Sequence, residues 1–260
     1  MVMRDLVPHT QAECMEAARR LVLAGLVSEQ ERSEATERAR AYGCEVREAL
    51  EAAFFARILA GATRGIDPAT SLRLFVIYGG ALSIVREGPL ALARQSGQLV
   101  ALIERVLVLD ALQRLEDVEI AVEWARERGE AGHEQLGRRL AEKVADRLRQ
   151  LEIGGRADGD GYEAAVCCVC RAGEWHVEIR DIDHAREAGL LGSEWWATRR
   201  IEALTYSARQ PILRQVFGDI LAGLATEDEM QRTQPPPAPG RDEPPADGDE
   251  EGLREGIRAA

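Results

Sequence analysis

The stretch "YEAAVCCVCRAGEWHVEIRD", residues 162–181, gathers three of the chain's five cysteines, one of its four histidines and one of its four tryptophans. In its second half Trp175, Val177 and Ile179 alternate with His176, Glu178 and Arg180. That is the pattern of a strand with one buried and one wet face. Tyr162 to Arg171 reads as its partner strand, joined through Ala172-Gly173. Tyr162, Ala164, Val166, Cys168 and Cys170 then share one face, and Glu163, Ala165, Cys167, Val169 and Arg171 the other. The three cysteines cannot all point the same way.

Register decides what they face, because a slip of one residue inverts one strand's faces relative to its partner's. A two-residue loop at Ala172-Gly173 sets Cys170 against Trp175 and Cys168 against Val177, which makes both cysteines core. A longer turn with Gly173 as a left-handed bulge instead sets Cys168 opposite His176, so that Cys168, Cys170 and His176 converge as a partial metal or reactive-thiol group. Turn chemistry favours the bulge, since alanine at positive φ costs roughly 1–2 kcal/mol. Patterning favours the two-residue loop, which buries several apolar side chains at roughly 1.5–3 kcal/mol each. Patterning outweighs strain, and the expectation is a core hairpin. Structural zinc also wants four ligands, and Cys168-x-Cys170 has no second pair. No cation or helix N-terminus adjoins the strand to lower a thiol's pKa.

Around this hairpin the patterns are helical. Thr10 caps a helix that stops near Gly25; "SEQE" at Ser28–Glu31 is a capping box, and Gly43 ends that second helix. A third runs from about Glu45 to Ala60. Asp67 followed by Pro68 opens a fourth, expected to continue through "ATSLRLFVIYGGALSIV" to Val85. From Pro89 to Arg128 the apolar spacing of Leu99, Leu102, Ile103, Val106, Leu109, Leu112 and Leu115 predicts one long helix or two. A further amphipathic helix follows the break at 129–134. After the hairpin, Asp183 and Ser193 read as N-caps and Pro211 as the start of a last helix.

Residues 19–50, "RRLVLAGLVSEQERSEATERARAYGCEVREAL", resemble the helical repeat in the N-terminal domain of type II secretion and type IV pilus assembly ATPases, over about an eighth of the chain. In that family a Leu-Gly pair in the second turn helps bind a cyclic dinucleotide; here Val46-Arg47 stands in its place. No Gly-x-x-x-x-Gly-Lys-Ser/Thr motif follows, so the resemblance implies no ATPase. A helix, a glycine stop and a serine cap are also what any short helical turn needs.

The fold class expected is therefore mainly α, α+β: a helical domain over 1–152, a hairpin with helices over 153–226, and a disordered tail over 227–260. The tail holds "PPPAPGRDEPP" at 235–245, six of the chain's ten prolines, followed by an acidic, glycine-rich run. It has too little apolar area to offset the entropy of ordering. "GGRADGDG" at 154–161 places Asp158 and Asp160 in a turn but lacks the glutamate that a calcium loop needs at its twelfth position.

Net charge is −12, which argues against general nucleic-acid binding. Lys143 is the only lysine among 33 cationic side chains, a bias expected of a GC-rich bacterial genome rather than of a site. The longest uncharged apolar run, Leu74–Val85, is too short to span a bilayer, and no secretory signal opens the chain. An odd number of cysteines without such a signal suggests reduced thiols in a cytoplasm.

Trp195, Trp196, Arg199 and Arg200 form an aromatic and basic cluster of the kind enriched at binding hot spots, the candidate partner surface. Asp181-x-Asp183-His184 is an acid–base pattern without an identifiable nucleophile. No cofactor is implied. The expected role is that of a non-enzymatic intracellular regulatory, adaptor or assembly protein, acting on a protein partner or as a homo-oligomer through helical surfaces. The alternative is a metal-binding or redox/ligand-sensing module centred on residues 162–181.

Overall fold

The computed structural model describes residues 7–78, 80–114, 118–127, 132–153, 162–226 and 229–230. The chain is mainly helical, with a small antiparallel sheet and helices towards its C-terminal end. Its first unit is three helices: α1 (Gln11–Leu23), α2 (Glu29–Tyr42) and α3 (Val46–Ala62). Thr10 with Glu13, and Ser28 with Glu31, form the capping boxes that start α1 and α2, each satisfying backbone donors left over by the first turn. Gly43, at φ 67°, closes α2. Cys14 and Ala18 of α1 pack on Phe54 and Ile58 of α3, while Ala35 and Ala39 of α2 pack on Ala49 and Leu50.

The fourth helix is shorter than its pattern suggests. After the Asp67 cap, α4 covers only Pro68–Leu74. The chain then forms a hairpin of β1 (Phe75–Tyr78) and β2 (Ala81–Ile84), with Phe75 opposite Ile84. The β-branched and aromatic residues of "FVIY" suit a pleated strand, and Gly80 supplies the positive φ (82°) that the turn requires. Phe75 and Ile84 are buried with Ile66, Leu92 and Leu221.

The long helix expected between Pro89 and Arg128 does not form. Instead come α5 (Gly88–Gln95), β3 (Leu99–Val108), α6 (Leu109–Arg114) and α7 (Val118–Arg126), then α8 (His133–Ile153). Gly97 at φ 69° ends α5, and "LVALIERVLV" becomes a ten-residue strand. Its apolar residues fit helical spacing as well as a strand buried on much of both faces, and the tertiary partner decides. That partner is β4 (Glu163–Arg171), which also pairs with β5 (Glu174–Asp181), giving a sheet of order β3-β4-β5, antiparallel throughout. Chain from both sides of residue 152 thus builds one sheet.

The sheet lies between two helical layers. On one face Ala101, Ile103, Val166, Cys168, Cys170, Trp175 and Val177 pack under Ala125 of α7 and Leu136, Leu140 and Val144 of α8. On the other, Ala165, Cys167 and Val169 meet α11 (Arg200–Val216) through Leu204, Ala208 and Ile212, with Leu90 and Ala93 of α5 alongside. Every residue from Ala164 to Cys170 is buried, which is why this strand shows no polar alternation. Two short helices link β5 to α11: α9 (Ile182–Glu187) and α10 (Glu194–Thr198). The cap of α9 is Asp181 rather than the expected Asp183; Ser193 caps α10 as expected. Pro211 lies inside α11 rather than at its start. A four-residue helix, α12 (Gly218–Leu221), follows. The loop at 154–161 lies outside the described residues, and so does the expected tail except for Glu229 and Met230.

Candidate functional site

The hairpin register is that of the two-residue loop: Arg171 pairs with Glu174, Cys170 with Trp175, Cys168 with Val177 and Val169 with His176. Ala172 (φ 51°) and Gly173 (φ 83°) both take positive φ, as a primed two-residue turn demands. Cys168 and Cys170 therefore face α8, His176 lies on the other side of the sheet, and the three do not converge. Among the described residues no group of three His, Cys, Asp or Glu side chains is placed to hold a metal. Burial pushes the Cys168 thiol up to about 12. It pushes the Cys167 thiol further still, with Glu104 opposite adding to the effect. A thiol so held stays protonated and unreactive at neutral pH.

The tryptophans separate in role. Trp196 is buried in the α11 layer, whereas Trp195 is half-buried and packs edge-on against both Trp196 (6.4 Å) and Tyr206 (5.6 Å). Arg199 and Arg200 are exposed and point to acidic partners, Glu202 at 3.3 Å and Glu163 at 2.7 Å. A third arginine, far away in sequence, joins the indole instead: the Arg86 guanidinium lies 3.9 Å from the Trp195 ring centre and 5.3 Å from that of Tyr206.

Beside these rings is a cleft of about 290 Å³ between α9, α10, α11 and the residues Thr226 and Glu229. Trp195, Trp196 and Tyr206 give it an aromatic wall, and its ionisable lining is Arg180, His184, Arg214 and Glu229. Arg214 holds Glu229 (Nε to Oε1, 2.7 Å), and Glu229 in turn accepts from the Thr226 N–H at 2.7 Å, which ties Thr226 and Glu229 to α11.

Two acceptors lie at this wall, one buried behind it. Gln210, only 8% exposed, donates through Nε2 to the Arg86 carbonyl (3.0 Å), and its buried Oε1 has no donor among the described residues. Pro211 has no N–H to give the Ser207 carbonyl one turn earlier, and both residues line the cleft. An occupant that donates a hydrogen bond to the Ser207 carbonyl suits this wall.

Beneath one edge of the cleft is a buried charge network. Asp181, fully buried at the end of β5, accepts from the Asp183 and His184 backbone N–H groups (3.1 and 3.2 Å), from the His184 ring Nδ1 (2.8 Å) and from Arg147 of α8. Burial works against its charge, yet the bonds from His184 and Arg147 outweigh it and hold the carboxyl well below the usual carboxylate range. The same His184 Nδ1 lies 3.3 Å from the Asp181 backbone N–H, the second half of the capping box that starts α9. Asp183 is braced by Arg186, and the Tyr162 hydroxyl, 3.5 Å away, donates to it. The Asp181–His184 pair is first of all the cap of α9.

The sequence pattern singled out Trp195 and Trp196 but not Arg86, Tyr206, Gln210 or Arg214. One signal was available: a glutamine followed by proline within the apolar stripe of α11, where the helix rules call for neither. The rest is long-range and has no local signature. No family model, no curated protein and no solved structure matches this chain.

Proposed function

We propose that the protein is a non-enzymatic regulatory, adaptor or assembly protein of the cytoplasm, which docks a protein segment on the helical surface formed by α9, α10 and α11. The observation that carries this reading is the cleft itself: an aromatic wall around Trp195, with the Ser207 carbonyl freed by Pro211 and more basic than acidic side chains in its lining. A peptide in extended form suits that chemistry, because its backbone N–H groups are free to donate and its side chains can lie on rings. Protein-binding surfaces enrich tryptophan and tyrosine for the same reason. Among the described residues no helix is long and apolar enough to cross a membrane, which is in keeping with a role off the bilayer. The buried cysteines favour this reading over a redox or metal module, since their thiols are held protonated behind both helical layers.

A photo-crosslinking side chain at Ser207, which lines the cleft, tests the proposal in cells. The expected result is one protein partner, or a second copy of the chain, crosslinked at a defined position and lost on Trp195→Ala. Crosslinks that are absent, or indifferent to Trp195→Ala, would sink it.

A further inference from the structure

We propose that the α9–α11 cleft is the docking site of this chain's own residues 231–251, so that the protein covers its binding surface with its proline-rich acidic segment. The inference rests on the reading of the cleft as a peptide-docking surface and names its resident occupant.

Three observations meet here. First, the chain arrives at the right place. Thr226 and Glu229 line the cleft, Arg214 pins Glu229 there, and Met230 is the last described residue. Pro235 follows Met230 by only five residues, a reach of up to about 17 Å when extended. The segment therefore meets the cleft at high effective concentration, about millimolar for a short tether.

Second, the chemistry of 235–239, "PPPAP", fits the aromatic wall. Proline-rich segments favour the polyproline II helix, which lays flat rings on tryptophan and tyrosine and loses little entropy on docking. Pro235, Pro236, Pro237 and Pro239 have no N–H, so the backbone donors that this stretch can offer the Ser207 carbonyl are those of Ala238 and Gly240.

Third, charge bears on the fit. Residues 242–251 carry six acidic side chains and no basic one, while the cleft lining holds two arginines, Arg180 beside Glu178 (2.7 Å) and Arg214 on Glu229, with which an arriving carboxylate would have to compete. Attraction of this kind orients the segment more than it tightens it, and it weakens with salt.

The test uses the full chain labelled with 5-fluorotryptophan, whose Trp195 resonance is identified by Trp195→Phe. Replacing Pro235, Pro236 and Pro237 by serine, with Asp242 and Glu243 by asparagine and glutamine, is expected to shift the Trp195 signal and leave that of Trp175 in place. A synthetic peptide of residues 231–251, added to this tail variant, should move the signal back. The same peptide should bind the unaltered chain at least tenfold more weakly, because the tethered copy competes. A Trp195 signal that ignores the tail substitutions, together with a peptide that does not bind the tail variant, overturns the proposal. A signal that instead follows protein concentration assigns the cleft to a second copy and overturns it too. Loss of the Ser207 crosslink to a partner, with the fluorine result intact, removes the function proposed above and leaves this docking in place.

Discussion

Ala172 is the residue at which two preferences collide. It sits at φ 51°, a conformation that glycine or asparagine adopts at little cost, yet the register it permits buries Cys168, Cys170, Trp175 and Val177 together. Relieving that strain without touching the core should therefore stabilise the protein. Ala172→Gly is expected to raise the unfolding free energy by about 1 kcal/mol, and Ala172→Val to lower it, as read from urea midpoints. The cysteines give a second residue-scale outcome. Only Cys44 is exposed, while Cys14, Cys167, Cys168 and Cys170 are buried. A thiol reagent at neutral pH should label one cysteine in the native protein and five after denaturation; labelling of Cys168 in the native state would contradict the register. This much was legible beforehand, because the alternation of Trp175, Val177 and Ile179 is local and names its own buried face.

At the scale of elements, the two misjudged segments share a cause. β1 to β2 and β3 are apolar on most positions, so spacing of three or four residues is satisfied by accident and says nothing of period. Their β-branched content pointed the other way, but a partner more than fifty residues downstream settles the matter for β3, and no local rule sees it. β4 bonds to a neighbour on both sides and is covered on both faces. Its central amides, Cys167 to Val169, are expected to be the slowest in the chain to exchange with deuterium, and the exposed turn at Ala172-Gly173 among the fastest. The junction of β5 and α9 carries a pH dependence. The Asp181 carboxyl is held below its ordinary range in the folded chain, so its contribution is complete above that range and is lost as the pH falls below it. Asp181→Asn should therefore be less stable than the parent at pH 7, with the gap narrowing towards pH 3. Equal gaps at both values would mean that Asp181 acts only by shape.

Across the whole molecule, the sheet acts as a plate that carries a helical layer on each side, and Trp175 is its largest fully buried side chain. Trp175→Ala should cost about 3–5 kcal/mol, enough to unfold a domain of ordinary stability, and is checked by thermal unfolding monitored at the remaining tryptophans. The fold class was readable from punctuation: capping boxes, glycine stops and one clear hairpin. The cleft was not, because it is assembled from Arg180 on a strand, Trp195 on a short helix, Gln210 on a long one and Glu229 after the last. Arg86 joins its tryptophan across more than a hundred residues of chain.

The place of β3 in the chain also bears on how the protein is made. Its neighbour in the sheet, β4, is encoded after three intervening helices, and β4 in turn is closed by β5 across a loop of only two residues. At translation rates of about 5–20 residues per second, "LVALIERVLV" waits roughly 3–13 seconds on the ribosome before the end of β4 is synthesised. Through that interval it is an apolar strand with both edges bare, the condition under which nascent chains pair with the wrong partner. Glu104 and Arg105, the only charges in the strand, then serve as its safeguard against aggregation, and Glu104 is taken up by Arg209 once α11 closes over it.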